Sequence, residues 1–419
     1  ESIADPSTIP TVLRNAYKLA QAERPGAVHV ELPEDVAGAQ TKAAVQKKGL
    51  VRRPAPDLKA IDAAAAMINA AKHPLLVLSA GANRSLISRE IRDFAERTGL
   101  FVVHTQMGKG VLPDDSEYSL FATGIHKRDY VNCGIDRADL IITVGYNIVE
   151  YPPYVWNRDL DKNIINVDFV EAETDKYYNP NIEVIGDIAT TLRLLGPKIT
   201  GKKDGELFRK IRSFVEKKID VEIGKQYPPT PREIVRHVRN VLAPDDILTL
   251  DNGIYKLWFS RLYKTYRPNT FILDNALATM GAGLPSGIAA KMINPGRNVL
   301  AVVGDGGFMM NSQELETALR ENIPLVTLII NDNAFGFIKW EQKAKEFGSF
   351  GLDYGNPDFV RYAESFGAVG MKVKEGDDLS AVLREAFSLK RPVVVECPVD
   401  YSVNYETFSQ ELSNVVCEM

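Results

Sequence analysis

The sequence predicts an α/β protein: two doubly wound parallel-sheet domains, the first Rossmann-like, plus the remnant of a third domain. Three observations carry that prediction. The chain is 419 residues long, which at roughly 150 residues per domain makes two large domains or three ordinary ones. Apolar residues make up 45% and charged residues 25%, the balance of a chain that buries large cores. Helical and strand-like patterns alternate over residues 57–195 and again from residue 230 onward. Such alternation marks a parallel sheet flanked by helices.

Taken in order, residues 8–22 read as an amphipathic helix, with Ile9, Val12, Leu13, Ala16, Leu19 and Ala20 at helical spacing and Pro25-Gly26 closing it. Residues 27–32 read as a short strand. One helix and one strand cannot bury their apolar faces alone, so residues 1–36 are expected to be the C-terminal remnant of a further domain. Residues 37–54 read as a polar linker. The central domain spans 55–195, with helices at 58–71 and 85–98 and strands at 74–78, 101–105, 138–144 and 163–167. Residues 196–224 form a charged linker with a surface helix. The last domain, 225–419, alternates helices at 231–241, 281–292, 312–321, 357–366 and 379–389 with strands at 247–251, 270–273, 298–303, 325–331 and 392–396.

Composition excludes several classes. Lys plus Arg number 50 and Asp plus Glu 55, a net charge of −5, which is no footprint for nucleic acid. No apolar run approaches the ~20 residues of a membrane span. The three cysteines, Cys133, Cys397 and Cys417, are odd in number and far apart. That reads as neither a disulfide framework nor a zinc ribbon, and it points to a reducing compartment, the cytoplasm. The five histidines (His29, His73, His104, His126, His237) include no HExxH or HxH pair, which argues against a histidine-held zinc.

The chemistry concentrates in VLAVVGDGGFMMNSQELETALRENIPLVTLIINDNAFG, residues 299–336. A buried strand runs into Gly304-Asp305-Gly306-Gly307, a helix returns, and a second strand ends at Asn331-Asp332-Asn333. A strand-helix-strand crossover is right-handed and makes its strands parallel, so Asp305 and Asp332 reach the same sheet edge. Glycine lets backbone N–H groups approach an anion. Two carboxylates beside such a turn suit Mg²⁺ with a substrate diphosphate, and ligands of open α/β sheets bind at the carboxyl ends of strands.

Gly-Asp-Gly followed by about 27 residues and an Asn/Asp pair resembles the thiamine diphosphate motif of thiamine-dependent decarboxylases and carboligases. Within that superfamily the chain most resembles acetolactate synthase large subunits. The resemblance is carried by GAVHVELPEDV (26–36), TQMGKGVLPDD (105–115), MGAGLPSGIAAKMINP (280–295), GDGGFMMNSQELETA (304–318), NDNAFGFIKWEQ (331–342) and CPVDYSVN (397–404), and it covers nearly the whole chain. It implies thiamine diphosphate and Mg²⁺ as cofactors. Asp305, Asp332 and the carbonyl of Ala334 would hold the metal. Gly304, Gly306, Gly307 and Asn331 would surround the diphosphate, with Gly253, Ile254 and Tyr255 as a second contacting loop. Met280 matches the apolar wedge that bends thiamine, and the carbonyl of Ala278 would hold the pyrimidine amino group.

The resemblance further implies pyruvate or a related 2-oxo acid as substrate and 2-acetolactate plus CO₂ as products, a step of branched-chain amino-acid biosynthesis. Other 2-oxo acid decarboxylation and sulfoacetaldehyde-type acetyl transfer are the alternatives. The family's activating glutamate lies in an N-terminal pyrimidine-binding domain, ahead of residue 8. No catalytic residue is therefore assigned here, and the chain alone is expected to catalyse little. A homodimer or homotetramer with two-chain sites is implied, along with a regulatory small subunit, and an apolar surface around Met280 and Phe308.

Two rival classes are a dinucleotide-dependent oxidoreductase and a non-catalytic relic. In Ser79-Ala80-Gly81-Ala82-Asn83 only Gly81 fits G-x-G-x-x-G. Tyr146-Asn147-Ile148-Val149-Glu150 stands where flavin-binding members carry Arg-Phe-Asp-Asp, which argues against FAD. Lys109 sits where it could meet a ligand or a neighbouring subunit. Trp340, Glu341 and Gln342 fit a substrate entrance or a surface helix. Asp114-Asp115 and residues 171–175 read as solvated acidic loops.

Overall fold

A computed structural model describes residues 1–47, 49–125, 129–220, 224, 226–412, 415 and 417. His126, residues 221–223 of the charged linker and residue 225 at the start of the last domain lie outside the described residues.

The first sheet contains β1 (Pro74–Leu78), β2 (Phe101–His104), β3 (Ser119–Ala122), β4 (Leu140–Val144), β5 (Asn163–Asp168) and β6 (Ile182–Ile185). Its order is β3-β2-β1-β4-β5-β6, parallel throughout. β1 and β4 are buried along their whole length, β4 with Thr143 as its one polar residue, because helices cover both faces of a parallel sheet. The helix Ser85–Thr98 ends on Gly99 at φ 72°, the left-handed cap that glycine takes without penalty.

The second sheet contains β7 (Ile247–Leu250), β8 (Phe271–Leu273), β9 (Val299–Gly304), β10 (Val326–Asn331), β11 (Val369–Lys372) and β12 (Val393–Pro398), in the order β11-β12-β10-β9-β7-β8, again all parallel. The helix Pro231–Val241 opens this unit with a capping box between Thr230 and Glu233 and a proline in its first turn. β10 pairs with β9 through Ile330 and Gly304, so the two strands finish side by side.

Buried polar contacts join the two units. Asp114 accepts hydrogen bonds from Thr265 N at 2.7 Å and Thr265 Oγ1 at 3.0 Å, and Arg261 pairs with Asp129 at 2.8 Å.

Several expectations are corrected. Residues 27–32 join no sheet and make only an isolated bridge between Ser2 and Glu31, since no strand beside them offers a ladder. Asp114 is not a solvated loop residue, and Lys109 does not face a ligand. Both are buried, with Lys109 Nζ 3.5 Å from Asp114 and His104 Nε2 2.9 Å from it. Burial lowers the Lys109 pKa; burial also works to raise Asp114, but the charge of Lys109 and the hydrogen bonds from His104 and Thr265 N–H hold it well below the usual carboxylate range. Phe308 is buried against Phe359 rather than exposed. Cys133 and Cys417 form a disulfide across 284 residues, leaving Cys397 as a buried free thiol. The helix Asn132–Arg137 meets the C-terminal segment there, a proximity that sequence spacing cannot express. The cysteine argument for a reducing compartment loses its basis with that pairing. Among the described residues no helix is long and apolar enough to cross a membrane.

Candidate functional site

Because β7, β9 and β10 are parallel neighbours, the residues that follow them, Asp251, Asp305 and Asp332, converge on one edge of the second sheet. A cavity of about 260 Å³ opens at that edge. It is lined by eleven of the twelve residues singled out from the sequence: Gly253, Ile254, Tyr255, Ala278, Met280, Gly304, Asp305, Gly306, Gly307, Asp332 and Ala334. Asn331 does not line it. Its amide donates to Glu396 at 2.9 Å, and its Oδ1 accepts from Asn333 N at 3.1 Å.

Asp305 is held by four donors. Its Oδ1 accepts from Gly306 N at 2.9 Å and Tyr354 OH at 3.1 Å, and its Oδ2 from Asn333 N at 2.9 Å and Asn356 Nδ2 at 2.6 Å. Burial raises its pKa and the donors pull it back. Asp332 is pushed up to about 7, first by burial and then by the charge of Asp305. Neither carboxylate has an ion-pair partner among the described residues.

The available donors are hard oxygens: two carboxylates and the Ala334 carbonyl; among the described residues no three or more His, Cys, Asp or Glu side chains come together in a way that could hold a metal ion by themselves. That set fits Mg²⁺, which takes oxygen ligands and often one or two carboxylates beside phosphate. The charge crowding at Asp332 is what a divalent cation would relieve.

The rest of the cavity wall is built by contacts with Asp251 and its neighbours. Asp251 Oδ2 accepts from Gly281 N at 2.9 Å, Asn252 Nδ2 donates to Thr279 O at 2.8 Å, and Asn311 Nδ2 donates to Gly281 O at 2.7 Å. These bonds fix the turn carrying Ala278 and Met280. Ala278 itself sits at φ 53°, a left-handed conformation that costs a residue with a Cβ about 1–2 kcal/mol and tends to persist at functional positions. Met280 is half-buried at the wall.

The glycines have internal reasons as well. A Cβ on Gly307 would lie 2.3 Å from Asp251 Oδ2, and one on Gly306 would lie 2.6 Å from Tyr354 OH. Gly304 N donates to the buried Tyr255 hydroxyl at 2.8 Å.

Sequence reasoning missed Asp251, Lys256, Tyr354, Asn356 and Tyr401. Asp251 was findable, since Asp-Asn-Gly after β7 is the counterpart of Gly-Asp-Gly after β9. Lys256 supplies a cation to the wall, held by Asn252 Oδ1 at 2.6 Å and Asn275 Oδ1 at 2.9 Å, with burial bringing its pKa down to about 8. Tyr354 and Asn356 arrive from a loop that pairs with Ala334 through Asp353, a contact no local pattern announces. Trp340 turns away from the cavity, packing on Phe408 and donating to Ser409 Oγ at 3.1 Å.

The first sheet reverses its strand order between β1 and β4, where such folds receive dinucleotides. That crevice is filled by the chain. Gly81 N donates to Gly145 O at 2.9 Å, and a Cβ on Gly145 would lie 2.3 Å from Ala82 N. The buried Glu150 accepts from Met107 N at 2.6 Å and Ser79 Oγ at 2.7 Å. Burial raises the Glu150 pKa against the pull of these donors.

Two parallel sheets, one closed at its crevice and one holding paired carboxylates beside glycine turns, define a class of diphosphate-cofactor enzymes. Comparison with known proteins makes this specific. Residues 251–397 match the family described as thiamine pyrophosphate enzyme, C-terminal TPP binding domain, and residues 61–195 match the thiamine pyrophosphate enzyme central domain. The chain is 34% identical over 424 residues to an acetolactate synthase of Bacillus subtilis, covering 98% of this chain and 73% of that protein. It is 32% identical over 407 residues to the catabolic acetolactate synthase of Raoultella terrigena, covering 94% and 72%. It is 30% identical to a probable acetolactate synthase large subunit of Methanocaldococcus jannaschii, covering 95% and 71%. The chain belongs to the thiamine pyrophosphate enzyme family, among its acetolactate synthase-like members.

Proposed function

We propose that the protein is a thiamine diphosphate- and Mg²⁺-dependent carboligase that converts two pyruvates to 2-acetolactate and CO₂. The observation that carries this reading is the single cavity shared by eleven expected residues, in a chain whose relatives are named acetolactate synthases. Bound thiamine diphosphate supplies decarboxylation of a 2-oxo acid and formation of a new carbon–carbon bond. Asp305, Asp332 and the Ala334 carbonyl hold the cation. The glycine turn at Gly304–Gly307 and the loop at Gly253–Tyr255 receive the diphosphate. Met280 props the cofactor from below, and the strained turn at Ala278 aims a carbonyl at it. No flavin has a part in this reading.

A full-length protein that includes the pyrimidine-binding domain as well as this chain, incubated with thiamine diphosphate, Mg²⁺ and pyruvate, should release CO₂ and form acetolactate. Release of neither overturns the substrate assignment.

The cavity wall holds no glutamate, and Leu277, Met309 and Met310 stand exposed beside the turn at Ala278 to Gly281. These features support an assembly of the full-length protein in which the pyrimidine-binding domain of a second copy covers the site, the commonest closed arrangement being a two-fold dimer. A regulatory small subunit is the further partner suggested by relatives named large subunits. Sedimentation should show at least a dimer. Full activity in a monomer overturns the two-chain site.

A further inference from the structure

We propose that Tyr354 gates the cation site: its hydroxyl holds the place of a metal-bound oxygen and is displaced when the ion enters with its diphosphate. The proposal rests on Asp305 and the Ala334 carbonyl being cation ligands. The Tyr354 hydroxyl lies 3.1 Å from Asp305 Oδ1 and 3.2 Å from Ala334 O. Neighbouring oxygens around Mg²⁺, each about 2.1 Å from the ion in an octahedron, are roughly 3.0 Å apart. The phenol oxygen therefore stands at the spacing of an adjoining ligand. It has one proton to give, so it donates to one of the two oxygens at a time, while Asp305 Oδ1 keeps the Gly306 N–H at 2.9 Å in either case.

A second observation concerns room. A Cβ on Gly306 would come within 2.6 Å of this hydroxyl, so the glycine at the heart of the Gly-Asp-Gly-Gly turn is what admits Tyr354. A third concerns movement. The segment carrying Tyr354 is tied to the metal loop by Phe335 N to Leu352 O at 3.0 Å and Tyr354 N to Asn333 O at 3.0 Å. It is bracketed by Gly351 and Gly355, where an added Cβ would meet nothing within 4 Å. Asn356 stays as the anchor, its amide nitrogen 2.6 Å from Asp305 Oδ2, 3.0 Å from Asn333 Oδ1 and 3.1 Å from Asn331 Oδ1. The hydroxyl can thus leave without dismantling the loop that holds Asp305.

The test is Tyr354→Phe, which keeps the ring against Phe335, 4.9 Å between centroids, and removes only the hydroxyl. Mn²⁺ is titrated by electron paramagnetic resonance in the presence of thiamine diphosphate. The variant should bind Mn²⁺ roughly three- to tenfold more tightly, the size of a hydrogen bond no longer broken on entry. Its melting temperature should fall without Mn²⁺ and match wild type when loaded. Equal or weaker binding, or the same fall in both states, overturns the gate. Asp305→Asn separates the two levels. Wild type that binds Mn²⁺ no better than Asp305→Asn overturns the ligand assignment and the gate with it, whereas a wild-type advantage over Asp305→Asn with no gain in Tyr354→Phe sinks the gate alone.

Discussion

At the carboxyl edge of the first sheet the chain fills its own crevice, while at the same edge of the second it leaves a cavity. Both sheets have six parallel strands, and both place glycine turns and buried acids at strand ends. In the first, Gly81 and Gly145 pack backbone to backbone, and Glu150 is satisfied by Ser79 and Met107. The acid that ends β5, Asp168, has a cation from the chain itself, Arg24 at 3.8 Å. In the second, Asp305 and Asp332 crowd together with no cation within ion-pair distance among the described residues, and burial and the charge of Asp305 push Asp332 up to about 7 against the weaker pull of Lys339. A fold supplies the location of a site and not the site itself. What separates the two edges is uncompensated negative charge next to open volume.

The largest expected effect follows from that charge. Asp305→Ala should lower thiamine diphosphate affinity in Mg²⁺ by about a thousandfold or more, beyond the 10–100-fold typical of residues that only support a metal ligand. Circular dichroism should show the fold retained. Isothermal calorimetry with unchanged affinity would place the cation elsewhere and remove the contrast between the edges.

Next in size is a steric test of the closed edge. Gly145 sits at φ 60°, and its Cβ would lie 2.3 Å from Ala82 N. Gly145→Ala should cost about 3 kcal/mol, combining left-handed strain with overpacking. Chemical denaturation measures it. A loss under about 1 kcal/mol would mean that the crevice yields easily and is not truly shut.

Much of this contrast was legible in the sequence, for identifiable reasons. β9 and β10 are long apolar runs bounded by Gly-Asp-Gly and Asn-Asp-Asn, so both their existence and their shared edge followed from pattern and crossover handedness. β3, β6 and β11 have four residues each and sit beyond the central strands, where short segments lack a distinctive period. The helix Gly336–Ala344 matches the surface-helix alternative for Trp340 to Gln342, whereas the helix Ile254–Leu262 was hidden because it begins directly in a cavity-lining loop, where turn-like residues mask helical spacing. Asp114 read as a loop acid because its partners, Lys109, His104 and Thr265, come together only in three dimensions. The Cys133–Cys417 bond and the approach of Tyr354 to Asp305 were illegible for the same reason.

The third effect is electrostatic. Burial raises Asp168 to about 6 from an ordinary value of 3.8, against the pull of Phe169 N–H and Arg24. The folded protein then binds more protons than the unfolded chain between those values, so this group's contribution to stability falls as pH rises from about 4 to about 6 and levels off above. The difference amounts to roughly 2–3 kcal/mol. Wild type and Asp168→Asn, denatured with urea at pH 4, 5, 6 and 7, should diverge over that window. Parallel curves would mean that Arg24 compensates Asp168 fully and would sharpen the contrast with Asp332.

The smallest effect asks whether the two edges are independent. Ser79→Ala removes one of the donors to the carboxylate of Glu150, leaving Met107 N at 2.6 Å with the Thr105 hydroxyl and the Ala80 N–H around it. A buried acceptor deprived of a hydrogen bond should cost about 1–2 kcal/mol. Contacts also lead from Glu150 toward the cavity. Its backbone oxygen accepts from Asn275 Nδ2 at 3.4 Å, and Asn275 Oδ1 accepts from Lys256 Nζ at 2.9 Å. Lys256 lines the cavity wall. The first of these bonds is long and uses the backbone of Glu150 rather than its carboxylate, so losing the Ser79 hydroxyl should leave thiamine diphosphate affinity within twofold of wild type. A tenfold change would mean that the closed edge positions Lys256 through Asn275. The filled crevice of the first sheet would then be a support for the open cavity of the second rather than a disused site.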